Sequence, residues 1–179
     1  MTTFSIRAFT GEDAEAVGAW RYPPPYGVYD LREDPEQDDD MRTAANWGVS
    51  WFAVDDADGE LIGYVEFHDL DGEVELGLGM RPDRTGLGLG AAFVEAAMAF
   101  ARNRWAPRSF GLDVFPWNER AIRSYERAGF SRGGIYLRRF DGGNEVTFLR
   151  MGRPALSRPG RCIRRRPPSR SPTYACAEA

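Results

Sequence analysis

Apolar and polar positions alternate with period two over residues 4–9 (FSIRAF), which predicts a strand. Thr10 then stands as an N-cap before Gly-Glu-Asp-Ala-Glu, the start of a helix. Between Tyr22 and Trp47 the pattern lapses, and Pro23, Pro24 and Pro25 forbid a continuous helix there. It resumes as three strands in a row: residues 50–56 (SWFAVDD), 61–70 (LIGYVEFHDL) and 74–80 (VELGLGM). Asp58-Gly59 and Asp71-Gly72 at the two junctions are hairpin-turn pairs, so the three strands form a meander. From Gly90 to Trp105 the period becomes helical, with Val94, Ala97, Met98, Ala101 and Trp105 on one stripe. Residues 109–115 (SFGLDVF) read as a strand and residues 119–128 as a helix closed by Gly129. Residues 135–140 and 145–151 form a last hairpin turning at Asp141-Gly142-Gly143-Asn144. The order β-α-loop-βββ-α-β-α-ββ specifies an α/β fold (an α+β mixed sheet), mostly antiparallel and flanked by helices, with residues 1–151 as one domain.

Composition narrows the chemistry. A chain of 179 residues, 42% apolar and 28% charged, can bury a core without a disulfide or metal staple. The net charge of −4 divides into −10 over residues 1–151 and +6 over residues 152–179. That Arg/Pro-rich tail has no apolar periodicity and is expected to be disordered. Arg164-Arg165-Arg166 within it offers a basic patch, but a solvated tail is the expectation, with no nucleic-acid partner. All 23 basic residues are Arg, which excludes a Schiff-base lysine and the lysine of a P-loop. His68 is the sole histidine, so no multi-histidine metal site is expected, and no G-x-S-x-G accompanies it for serine–histidine catalysis. Cys162 and Cys176 both lie in the tail, which leaves no core cysteine for a covalent intermediate. The charged opening residues do not resemble a signal peptide, and residues 87–101 include Glu95 and are too few to span a bilayer. A cytoplasmic protein with no membrane partner is the expectation.

The informative stretch is MRPDRTGLGLGAAF, residues 80–93. Gly86, Gly88 and Gly90 let the backbone turn sharply just before a helix, whose first N–H groups lack intrahelical partners and suit a phosphate or pyrophosphate. The dipole contributes only about 0.3–2 kcal/mol, so affinity there must come from several backbone hydrogen bonds together. The dinucleotide fingerprint fails because Ala91 stands at its third glycine, and the P-loop pattern fails for want of Lys. A pyrophosphate-bearing carrier such as coenzyme A remains.

A second motif follows strand 109–115: Asn118, Ala121, Tyr125, Gly129 and Phe130 in the spacing N-x-x-A-x-x-x-Y-x-x-x-G-F. Placed after the glycine loop, it resembles the GNAT superfamily of acyl-CoA-dependent N-acetyltransferases, over about residues 4–151. The resemblance implies transfer of an acetyl group from acetyl-CoA to a primary amine by direct attack in a ternary complex, without a metal. It implies that Leu78, Gly79 and Met80 hold the pantetheine arm. Thr85, Gly86, Leu87, Gly88, Leu89, Gly90 and Ala91 then cradle the pyrophosphate, Asn118 contacts the coenzyme, and Tyr125 protonates the departing thiolate. Thr85 departs from the family pattern, which has Arg or Gln there, yet it can offer a backbone N–H and a hydroxyl. A phenol near pKa ~10 and a thiol near ~8.5 are close enough for proton transfer within a hydrogen bond. Asn118 can also cap its helix through Oδ1 and leave its NH₂ free for the coenzyme.

A base is harder to name. Glu75 and Asp113 stand on the two strands expected to flank the cleft, with Glu73 and Glu66 behind them, while His68 as a lone strand histidine reads as structural. A carboxylate is a poor match for an alkylammonium near ~10, so relay through water is expected. Acceptor choice falls to Tyr22, Tyr26 and Tyr29, which either line a pocket or cover a sheet edge. The run Asp38-Asp39-Asp40 reads as a solvated helix start able to attract a cation. The acceptor is a small-molecule or peptide amine, and a homodimer is left open. The alternative reading is a catalytically silent CoA-binding or regulatory domain on the same scaffold.

Overall fold

The computed structural model describes residues 3–139 and 145–155. The expected turn at residues 141–144 and the tail beyond 155, with both cysteines and the triple arginine, lie outside the described residues. The strands are β1 Ser5–Ala8, β2 Trp51–Asp55, β3 Leu61–Leu70, β4 Glu73–Met80, β5 Ser109–Val114, β6 Ser131–Arg139 and β7 Glu145–Pro154. The helices are α1 Gly11–Gly18, α2 Pro35–Arg42, α3 Gly90–Trp105 and α4 Glu119–Arg127. One seven-stranded sheet runs β1-β2-β3-β4-β5-β7-β6, and every neighbouring pair is antiparallel except β4–β5. The mixed, mostly antiparallel sheet expected from the alternation is therefore present.

Period-two patterning sorts the side chains to two faces. Phe52, Val54, Val65, Phe67, Val74, Leu76, Phe110, Leu112, Leu149 and Met151 enter one core with Phe93, Val94, Ala97, Met98 and Ala101 of α3. Burial of each such large side chain contributes about 1.5–3 kcal/mol. On the other face Trp51, Ala53 and Tyr64 pack with Ala14, Val17, Leu31 and Met41. Helix α1 starts as its sequence dictates: Asp13 N–H donates to Thr10 Oγ1 at 3.2 Å and Thr10 N–H donates to Asp13 Oδ2 at 2.9 Å.

Three segments differ from the pattern-based expectation. Strand β6 begins at Ser131 rather than at residue 135, because Gly133 and Gly134 carry no apolar signal and the register shifts between Arg132 and Ile135. Strand β7 runs on to Pro154, which pairs with Ser109. The lapsed segment holds three short 3₁₀ turns, Tyr26–Tyr29, Leu31–Glu33 and Ala44–Asn46, with α2 before the third, Pro35 in its first turn and Asp34 capping Gln37 N–H at 3.1 Å. Within α2 the acidic run is not wholly solvated: Asp40 accepts from Trp51 Nε1 at 2.7 Å and from Asn46 Nδ2 at 2.8 Å.

Candidate active site

The sheet opens where its one parallel pair ends. Strands β4 and β5 pair through Glu73–Ser109, Val74–Phe110 and Glu75–Gly111. Beyond that point β4 continues only against β3, as far as Met80–Gly63, and β5 only against β7, as far as Val114–Leu149. Arg81 N–H bonds Ile62 O at 2.8 Å, so alternation turns the backbone polar groups of Leu78 and Met80 away from β3 and into the opening. Tyr22 Oη donates to the Met80 carbonyl at 2.8 Å, which leaves Leu78 as the nearer backbone contact for a guest.

The glycine loop lies between β4 and α3. Gly86 and Gly88 adopt φ of 81° and 78°, the left-handed region that glycine enters without strain. Among the described residues no carbonyl or side chain accepts a bond from the N–H groups of residues 86–92, and the first α3 bond is Phe93 N–H to Leu89 O at 3.0 Å. Thr85 differs from expectation: its N–H and its hydroxyl both donate to Pro82 O, at 3.2 and 2.7 Å, so neither is free. Its oxygen instead accepts from Arg120 Nη1 at 3.4 Å. Arg84 is held by Glu60 at 2.9 Å and by Asp56 at 3.5 Å. Arg120, Arg123 and Arg127 stand at i, i+3 and i+7 on α4 and line the groove beside the loop. Arg123 and Arg127 have no carboxylate within ion-pair distance among the described residues. Sequence reasoning missed this stripe because three arginines on a helix read as an ordinary polar face. Their helical spacing was the available signal.

One groove of about 2360 Å³ joins these parts, lined by Leu78, Gly79, Met80, Thr85, Gly86, Gly88, Leu89, Gly90, Asn118 and Tyr125 together with Glu75 and Asp113. Leu87 and Ala91 do not line it, and the Leu87 side chain is exposed. Tyr125 is partly buried, packs its ring against Phe130, and has a hydroxyl that bonds no described residue. Burial, with Tyr29 adding to it, pushes its phenol well above the usual tyrosine range. Asn118 is buried and doubly committed: Oδ1 accepts from Ala121 N–H at 3.2 Å, and Nδ2 donates to Tyr29 Oη at 2.8 Å. One of the two NH₂ hydrogens is thus already engaged. Burial pushes Tyr29 up to about 12, with the Asn118 bond acting the other way. Tyr22 and Tyr29 line the groove, whereas Tyr26 packs on Trp117 beneath the Arg120 guanidinium, 4.0 Å from its ring centre.

The face of the sheet at the apex of the opening is charged. Arg150, opposite Asp113 in the register, binds Glu73 and Glu75 and reaches Asp113 Oδ1 at 3.4 Å. Tyr136 Oη donates to the other Asp113 oxygen. Both carboxylates named from the sequence therefore sit in the groove, each compensated by Arg150, a partner far along the chain. On β3, His68 Nε2 lies 2.6 Å from Glu66 Oε1, and Gln37 Nε2 donates to Glu66 Oε2 at 3.2 Å. The Glu66 hydrogen bond raises the His68 pKa above its ordinary value, partly opposed by desolvation. Among the described residues no group of three or more His, Cys, Asp or Glu could hold a metal ion, and no helix is long and apolar enough to cross a membrane.

Comparison with known proteins agrees with this geometry. The family model described as Acetyltransferase (GNAT) family matches residues 14–130. A mycothiol acetyltransferase from Streptomyces coelicolor is 34% identical over 137 residues, 70% of this chain; the match spans only 42% of that enzyme's length. A GNAT-family acetyltransferase from Bacillus anthracis superposes with a TM-score of 0.65 at 21% identity, covering 84% of this chain and 94% of that one. A dodecameric spermidine N-acetyltransferase from Vibrio cholerae superposes with a TM-score of 0.60 at 20% identity, covering 84% and 93%.

Proposed function

We propose a function on one premise: the chain belongs to the acetyltransferase (GNAT) family. Residues 1–151, with β7 continuing to Pro154, transfer an acetyl group from acetyl-CoA to a primary amine. The observation that carries this reading is the row of N–H groups at residues 86–92, open at the mouth of the β4–β5 gap. Those groups receive the diphosphate at the positive end of α3. Arg120, Arg123 and Arg127 supply the cationic charge that Thr85 lacks, and Arg123 and Arg127 are free to do so. The gap admits the pantetheine arm along Leu78, Gly79 and Met80, with the thioester at the charged apex. Asn118 acts by holding Tyr29 and the start of α4 in place, one step removed from the coenzyme.

The acceptor approaches from the acidic face, where Glu75 and Asp113 form an anionic wall framed by Arg150. That charge favours a cationic amine over an anionic one. Tyr125 donates a proton to the leaving sulfur. Its unpartnered hydroxyl supports the role, while burial raises its pKa and widens the gap to the thiol that the proton must cross. The test is release of free thiol from acetyl-CoA over a panel of primary amines. Turnover on at least one amine is expected, and Tyr125→Phe should lower kcat by about 10²-fold or more with coenzyme affinity within a few-fold. Thermal stabilisation by acetyl-CoA without turnover on any amine would instead mark a silent binding domain.

A further inference from the structure

We propose that His68, oriented by Glu66, is the group that takes the proton from the incoming ammonium; this rests on the transferase reading above. Most groove carboxylates near the apex are already committed: Glu73, Glu75 and Asp113 to Arg150, and Asp40 to Trp51 and Asn46. His68 is not. It lines the same groove as Tyr125, its side chain is 49% exposed, and it lies opposite Glu75 in the β3–β4 register, at the last residue pair before the sheet opens. Its Nε2 sits 2.6 Å from a carboxylate that is itself 7% exposed and steadied by Gln37 from α2. A neutral imidazole in that position donates Nε2–H to Glu66, which fixes the tautomer and leaves the lone pair on Nδ1. The groups that face it are Glu66 on its own strand, Glu75 on β4 with Arg150 behind, and Asp40 from α2. Three of these four are anionic, and all three favour the protonated ring.

The chemistry balances. The ammonium gives a proton to Nδ1, directly or through one water, and the freed nitrogen pair forms the C–N bond at the thioester carbonyl. The C–S bond breaks with its pair on sulfur, which takes the Tyr125 proton. Tyrosinate recovers a proton from the new amide nitrogen, and His68 releases its own to water. An imidazole raised above ~6.5 lies much nearer an ammonium at ~10 than a carboxylate at ~4 does, so the transfer is less uphill.

As the sole histidine in the chain, His68 can be followed by imidazole NMR with no substrate present. In the unaltered protein it should titrate above an ordinary histidine, and Glu66→Gln should lower that value. The acidic limb of the kcat profile should rise with pH through the His68 value and move to lower pH in Glu66→Gln. His68→Gln should lower kcat by about 10²-fold, with KM changed only a few-fold, and should flatten that limb. A limb that stays in place in Glu66→Gln while its imidazole value falls overturns the His68 role and leaves the transferase standing. Absence of turnover by the unaltered chain on every amine overturns both. Because Glu66→Gln keeps the side-chain shape, its profile decides the matter even if His68→Gln does not fold.

Discussion

At the scale of single residues, Asn118 ties two elements of the groove together. Both ends of its amide bond protein atoms, one at the α4 cap and one at Tyr29. Loss of a cap costs about 1 kcal/mol and loss of a buried hydrogen bond about 1 more. Asn118→Ala is therefore expected to lower unfolding stability by about 1–3 kcal/mol in urea titration. Unchanged stability with lost coenzyme affinity would return Asn118 to direct contact. That Tyr125 and Asn118 line the groove was legible because they fall in one local motif. The partners of Glu75 and Asp113 were not, because Arg150 lies 75 residues from Glu75 and only the β5–β7 register brings it near. The surroundings of His68 were not legible either, for the same reason in reverse. Its partner is two residues away on the same strand face, but its exposure to the groove depends on where β4 and β5 part.

At the scale of elements, the loop before α3 works through its backbone. No atom lies within 4 Å of where a Gly88 side chain would begin, so the glycine is needed for its φ of 78° and not for room. Gly88→Ala meets only the left-handed penalty of about 1–2 kcal/mol, and relief of that strain would turn the neighbouring N–H groups from their common direction. Acetyl-CoA affinity by calorimetry should fall about 5–20-fold, in line with that energy. Equal affinity in the variant would show that these amides do not bind the ligand. Helix α3 was readable to the residue from its apolar stripe. The start of β6 was not, because two adjacent glycines and a shifted register erase the alternation that marks a strand. Of α2 only the acidic run was legible, for a different reason: Met41 is the one buried residue of that helix, too few apolar positions to set a period.

At the scale of the whole molecule, the two sheet faces divide the labour. One face packs α3 and brings α4 beside the glycine loop, which sets three arginines near the open amides. The other face, left uncovered past α2, carries Glu66, His68, Glu75, Asp113 and Arg150. The groove therefore runs from a cationic end to a largely anionic one, and the parted strands connect them. This polarity could not be read from the net charge of −4, since it depends on which strand faces which helix. The most direct test is an amide NMR titration of the full chain with coenzyme A. The backbone signals of residues 86–92 and of Leu78 should move most, saturating together with those of Arg120, Arg123 and Arg127. Saturable binding that leaves residues 86–92 unmoved, or no binding at millimolar ligand, would contradict the account.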